Sequence, residues 1–309
     1  MASSYVKAEQ RLFEKYRLKW PVTTDPIALE QHMIQRGGRW KKKDGTFAGE
    51  GLFFHFKAFE SLLWPHKVWH KWSELILENY LKYRTVGIIS PASGGKTFCI
   101  ATDALADYYC FSDTTTILCC STTREMLEQR IWGEIKRHHV LAKQKRDWIP
   151  GHIIESRQRI VTDSRYESIE GRDFRNGILG VPCKRGSEHV GLGDFAGVKN
   201  KRVRMIADEM SLLPRVFVDA ISNLDKNADF KAVGMGNPKE TTDALGVLCE
   251  PSAKYGGWDG GIDQTPGTKT WETRRPDGIC IQMPGSDSPN LDGTMGIPLI
   301  TQADIDRDI

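Results

Sequence analysis

The sequence predicts an α/β fold, a mainly parallel central sheet flanked by helices with a small helical appendage at its N-terminus, on three observations. A β-branched run at 86–89 passes through Ser90-Pro91-Ala92-Ser93-Gly94-Gly95 into Lys96-Thr97-Phe98 and a segment whose apolar residues Ala101, Ala104, Leu105 and Tyr108 recur at helical spacing. A second apolar run, 114–120, leads into another helical pattern. A third, 202–208, ends on the adjacent carboxylates Asp208 and Glu209. Strand alternating with helix is the pattern of crossover units, which lay their strands parallel.

The first of these stretches carries chemistry. Small residues let backbone N–H groups wrap a phosphate, a lysine reaches the outer phosphate oxygens, and a hydroxyl at the helix start suits Mg²⁺. Ser90-x-x-x-x-Gly95-Lys96-Thr97 matches that order, with Ser where such loops usually open on Gly. The binding candidates are therefore Ser90, Pro91, Ala92, Ser93, Gly94, Gly95, Lys96, Thr97 and Phe98.

The third stretch completes the set. In a parallel sheet, ligands gather at the C-terminal ends of the strands, so Asp208 is suited to hold the metal, with Thr97, and Glu209 to polarise an attacking water. A run at 230–236 then ends on Asn237-Pro238, where an amide could sense the terminal phosphate or simply satisfy the turn.

Bulk properties narrow the setting. With 309 residues and 39% hydrophobic content the chain can bury a large core. Its 43 basic and 40 acidic residues leave a formal charge of only +3, so affinity for nucleic acid must come from local patches. Seven scattered cysteines without a C-x-x-C pair point to reduced thiols rather than disulfides or structural zinc. No apolar run is long enough for a membrane span, and the first residues lack a signal-peptide core.

Three parts are expected: an appendage at 1–57, the phosphate-loop core at 58–250, and a C-terminal part at 251–309 that begins a linker. The appendage reads as helices at 6–16 and 26–35, then the basic segment 36–43, suited to contact DNA phosphate or to stand in water. From 59 to 83 an aromatic-rich segment enters the loop strand, with a helix after Pro65 carrying Trp69, Trp72, Ile76 and Tyr80 on one face. Phe59, Trp64 and His66 are either a clamp for the nucleobase or core rings. Ser121-Thr122-Thr123-Arg124 could touch DNA phosphate or cap a helix at 125–139. His138-His139 lacks a third ligand at metal spacing, and the glycines of 186–197 suit a mobile loop rather than a second phosphate loop.

Four motifs in order, Ser-Pro-Ala-Ser-Gly-Gly-Lys-Thr (90–97), Ile-Ala-Asp-Glu (206–209), Gly-Asn-Pro (236–238) and Asp-Ser-Pro-Asn (287–290), resemble the ATPase domain of the large terminase subunit of tailed bacteriophages, over roughly residues 59–295. The resemblance implies a P-loop NTPase of the additional-strand catalytic-Glu type that hydrolyses ATP with Mg²⁺ to drive double-stranded DNA into a prohead. It implies nucleotide binding by Lys96 and Thr97, metal binding by Asp208, catalysis by Glu209, and coupling through the loop at Gly236 to Pro238. It also implies a homo-oligomeric ring, a pentamer, working with a portal protein and a small terminase subunit in the host cytoplasm while docked on the prohead.

Departures from the family pattern carry their own expectations. The loop lacks the arginine that many members have there, so a neighbouring subunit is expected to supply one, from Arg172, Arg175, Arg185 or Arg202. Lys67 stands where the family often has an adenine-reading Gln. The nuclease domain usual in large terminases is expected to be removed or encoded separately, so no nuclease activity is expected from this chain. The rival readings are a helicase-like translocase and a DNA-binding assembly protein with a vestigial nucleotide site.

Overall fold

The computed structural model describes residues 50–92, 94–112, 114–146, 149–162, 176–183, 197–227, 229–237, 239–260 and 265–296, together with 195, 262, 298 and 301–303. The helices expected at 6–16 and 26–35, the basic segment 36–43, Ser93, Arg172, Arg175, Arg185, most of the glycine-rich stretch and Pro238 lie outside the described residues.

Nine strands form one sheet. In chain order they are β1 (Thr85–Ile89), β2 (Thr115–Ser121), β3 (His152–Ile154), β4 (Arg159–Val161), β5 (Gly177–Pro182), β6 (Arg202–Asp208), β7 (Asp229–Gly236), β8 (Lys269–Glu272) and β9 (Gly278–Gln282). Their order across the sheet is β3-β4-β5-β2-β6-β7-β1-β9-β8. The six from β5 to β9 pair parallel, and short antiparallel strands finish both sides. β1 and β2 are buried at every residue, as continuous apolar runs covered on both faces must be. One strand, β7, separates β1 from β6.

Two cores sandwich the sheet. On one face lie α1 (Glu50–Leu63), α2 (Lys71–Lys82), α3 (Lys96–Cys110) and α5 (Ile131–Lys145), meeting Val86, Ile88, Ile117, Ile206 and Val233. The other face carries α6 (Phe217–Leu224), α7 (Ala244–Cys249), Trp258 and Trp271. Gly234 is needed on that second face, because a Cβ there would come within 2.4 Å of both Met210 and Leu248. All seven cysteines are free and buried, and no helix among the described residues is long and apolar enough to cross a membrane.

Several elements differ from expectation. α1 runs unbroken across the boundary expected between 57 and 58, and Phe56 is already core. The helix expected at 125–139 is two, α4 (Arg124–Gln129) and α5, parted at Arg130, whose φ of −126° and ψ of −116° leave the helical region. Thr123 caps α4, its hydroxyl accepting from the Met126 N–H at 3.1 Å, which is the capping role foreseen for that stretch.

A charge cluster closes the end of the sheet opposite the phosphate loop. Asp107, from α3, accepts from Arg204 Nε at 2.6 Å, from Tyr80 at 2.9 Å and from Arg202, while both arginines also reach Asp229. Burial alone would raise the Asp107 pKa, but Arg202 and Arg204 hold it well below the usual carboxylate range. Arg204 is 1% exposed, so losing its partner strands a charge in the core. Asp107→Ala is expected to lower the unfolding free energy by about 3–5 kcal/mol, measured by urea denaturation at neutral pH; a loss under about 1 kcal/mol would mean that water screens the cluster.

Candidate functional site

β1 delivers the chain to Ser90, and α3 starts at Lys96 with no side-chain cap, so the first N–H groups of a helix face the loop. Gly95 turns into that helix at φ +74°, a left-handed conformation that glycine adopts without strain. At Gly94 a Cβ would sit 2.4 Å from Ser90 Oγ and 3.4 Å from the Trp72 ring. Lys96 folds back to donate to the carbonyls of Ser90 at 3.3 Å and Pro91 at 3.0 Å. Thr97 lies in the first turn of α3, and Ala92 is exposed.

Asp208 and Glu209 stand on the same edge, at the end of β6. Asp208 is 1% exposed. Its Oδ1 accepts from the Glu209 N–H at 3.0 Å and its Oδ2 is buried with no hydrogen-bond partner. Burial, then the negative charge of Glu209, pushes its pKa up to about 6. Glu209 sits at φ 50° and ψ 46°, left-handed and rare for a residue with a Cβ. Burial lowers the Lys96 pKa, opposed by the charges of Glu209 and Asp208 and reinforced by Arg130. The lysine turn and the carboxylate pair, 112 positions apart in the chain, thus share one electrostatic site.

Arg130 is the site residue that sequence reasoning missed. Its Nη1 donates to Glu209 Oε1 in an ion pair that joins the α4–α5 break to the end of β6. Nothing in the helical periodicity of 125–139 marked it. The break itself brings the side chain to the sheet edge.

The other sequence candidates divide. Asn237 follows β7, whose last carbonyl, Gly236 O, accepts from the Ser90 N–H at 3.2 Å, and Asn237 Oδ1 is buried and unpartnered. Phe59 and Trp64 are corrections: both are 0% exposed in the core, with Trp64 Nε1 donating to the His138 carbonyl at 3.0 Å, so neither offers a ring face to a base. His66 is exposed and stacks on His138, while Phe98 meets His138 edge-on at 4.7 Å. Lys67 is wholly buried against Glu60, Thr102 and Asp103, which removes it from any contact with a base. Arg202 lies at the opposite end of β6, engaged by Asp107 and Asp229 and stacked 3.7 Å over Phe111.

The fourth motif is tied to the loop. Asp287 Oδ2 accepts from the Thr268 N–H at 2.7 Å and its hydroxyl at 2.9 Å, and Thr268 Oγ1 accepts from Trp72 Nε1 at 2.9 Å. Trp72 is the ring packed on Gly94. A cavity of about 380 Å³ lies beside β1, lined by Ile89, Thr241, Trp258, Trp271 and Gln282 among others. None of the sequence candidates lines it.

A divalent cation fits what is present. Among the described residues no three His, Cys, Asp or Glu side chains gather as a metal centre. Mg²⁺ asks for less: it keeps much of its water and takes one or two carboxylates besides phosphate oxygens. The buried, unpartnered Asp208 Oδ2 is such a ligand, and the Thr97 hydroxyl is its natural companion at the helix start.

No family model matches the chain, and no curated protein matches its sequence. Among solved structures it is similar to the ATPase domain of the Thermus phage P74-26 large terminase, at 16% identity over 72% of this chain and 83% of that one, TM-score 0.47. An arginine-to-alanine mutant of that domain aligns at 16% identity over 72% and 84%, TM-score 0.49. The large terminase of a second, thermophilic bacteriophage, in complex with ADP, aligns at 13% identity over 78% of this chain and 49% of that one, TM-score 0.47. This chain spans about half the length of that ADP-bound protein.

The Asp208 environment has a measurable consequence in the ligand-free protein. Its folded pKa lies above the ordinary 3.8, so the folded state takes up the proton more readily; its contribution to stability falls as pH rises from 3.8 to about 6 and stays lost above. Asp208→Asn is therefore expected to raise the melting midpoint at pH 7.5, by an amount equivalent to about 3 kcal/mol, and to flatten its dependence across that window. An unchanged midpoint and an unchanged pH profile would show that the carboxylate is not desolvated.

Proposed function

We propose that the chain is a Mg²⁺-dependent ATPase of the additional-strand catalytic-Glu type, the ATPase portion of a large terminase that drives double-stranded DNA into a prohead. The observation that carries this reading is the meeting of Lys96 with Asp208 and Glu209 at one sheet edge. The strand between β1 and β6 supports the additional-strand type, and the four motifs in order support the terminase assignment. Partners in the same reading are duplex DNA, a portal protein, a small terminase subunit and further copies of this chain in a ring, in the host cytoplasm.

Each residue has a task. The α3 N-terminus and the loop amides bind phosphate oxygens, and Lys96 exchanges the Ser90 and Pro91 carbonyls for the β- and γ-phosphates. Thr97 and Asp208 would hold Mg²⁺, which when bound would supply positive charge against the triphosphate. Glu209 orients the attacking water and takes its proton, and Asn237 senses the terminal phosphate. While Arg130 holds Glu209, that carboxylate is engaged; an incoming γ-phosphate competes for the guanidinium and frees the base. Arg130 thus stands as a same-chain arginine where the phosphate loop has none, and an arginine from a neighbouring subunit would add its own factor of about 10³–10⁵ in rate.

Steady-state phosphate release, with and without duplex DNA, tests the reading. Glu209→Ala is expected to lower turnover by about 10²–10⁴-fold while nucleotide still binds, and Lys96→Ala to lose both. Normal turnover in Glu209→Ala would remove Glu209 as the base. Strand separation during DNA-stimulated hydrolysis would favour a helicase-like translocase.

A further inference from the structure

Three parallel strands end side by side at this edge, and strand alternation decides which of their last residues face α3. On β2, Ile117 and Cys119 pack on the α3 side and Leu118 and Cys120 on the other, so Ser121 turns toward α3. On β6 the same alternation puts Ile206 and Asp208 on that side. On β7 it puts Val233 and Met235 there, and Asn237 two positions on. Cys120 pairs with Ala207 and Asp208 with Met235. Ser121 and Asp208 therefore stand side by side on neighbouring strand ends, and Asn237 follows two positions beyond Met235, the β7 partner of Asp208.

All three carry an oxygen with nothing to bind. Ser121 Oγ, Asp208 Oδ2 and Asn237 Oδ1 are buried without a hydrogen-bond partner, and Ser121 is 0% exposed. Other hydroxyls of the same strand and the turn after it are employed: at the far end of β2 Thr116 accepts from Asn200 at 2.9 Å and Thr115 donates to Phe111 O at 2.8 Å, and Thr123 caps α4, whereas Ser211 Oγ, three residues after Asp208, is likewise buried without a partner. Native proteins seldom bury polar atoms unsatisfied. A hydroxyl, a carboxylate oxygen and an amide oxygen at one sheet edge make an acceptor-rich seat, suited to a guest that arrives with donors.

We propose that Ser121 is a positioning residue of the metal–triphosphate site, its hydroxyl receiving, beside Asp208 and Asn237, the water carried by a hydrated divalent cation. The inference rests on the nucleotide reading above and adds a residue to it. Groups that hold a metal's outer shell typically change its affinity about 10- to 100-fold.

The test is Ser121→Ala, read without turnover. Mn²⁺ binding to the protein with a non-hydrolysable ATP analogue is followed by electron paramagnetic resonance, and the melting midpoint is taken without ligand. The Mn²⁺ affinity is expected to fall by about 10- to 100-fold, while the ligand-free midpoint stays or rises, because alanine deletes an unpaired oxygen. Thr123→Ala, which removes a structural hydroxyl two residues on, should do the reverse: a lower midpoint and unchanged Mn²⁺ affinity. Wild-type Mn²⁺ affinity in Ser121→Ala, or a lowered midpoint, overturns the proposal. Wild-type protein that binds neither the analogue nor Mn²⁺ overturns the nucleotide reading itself, a separate result.

Discussion

Two cations and two anions gather at one edge of the sheet: Arg130 pairs with Glu209, and Lys96 lies within the field of both Asp208 and Glu209. Gathering charge in a place poor in water is costly unless the signs balance, and here they do. The balance is local and incomplete, since Asp208 keeps one oxygen unanswered and Lys96 borrows backbone carbonyls. The fold brings these four side chains together from three separated parts of the chain. Parallel strands do most of it, because their C-terminal ends must fall on one edge.

The opposite end of the sheet is built on the same rule with the charges closely paired, only Arg202 Nε among the cluster's nitrogens staying buried without a partner. Asp107 and Asp229 occupy Arg202 and Arg204 with several hydrogen bonds each. α3 joins the two ends, carrying Lys96 at its start and Asp107 near its finish. One helix is thus pinned by ion pairs at its far end and left without a side-chain cap at its start.

Much of this was legible in the residues. The β-branched run before Ser90 and the small residues through Gly95 declared strand, loop and helix, and the adjacent carboxylates at 208–209 declared a strand end. Those signals are local and their chemistry is narrow. Phe59 and Trp64 were ambiguous because a ring that packs and a ring that stacks have the same composition, and burial alone separates them. Arg130 was invisible for a different reason: its role depends on a break between two helices that the apolar spacing of 125–139 does not announce. The place of β9 as the parallel neighbour of β1 likewise depends on pairing across almost two hundred residues.

The Trp72–Thr268–Asp287 tie joins the Ser90–Gly95 loop to a distant part of the chain. The Trp72 ring stands beside Gly94, 3.4 Å from where a Cβ would lie, while Ser90 Oγ at 2.4 Å is what would exclude one. Two hydrogen bonds run from that indole through Thr268 to Asp287. The segment at 287–290 is thereby tethered to the loop by a side chain more than two hundred positions upstream in the chain.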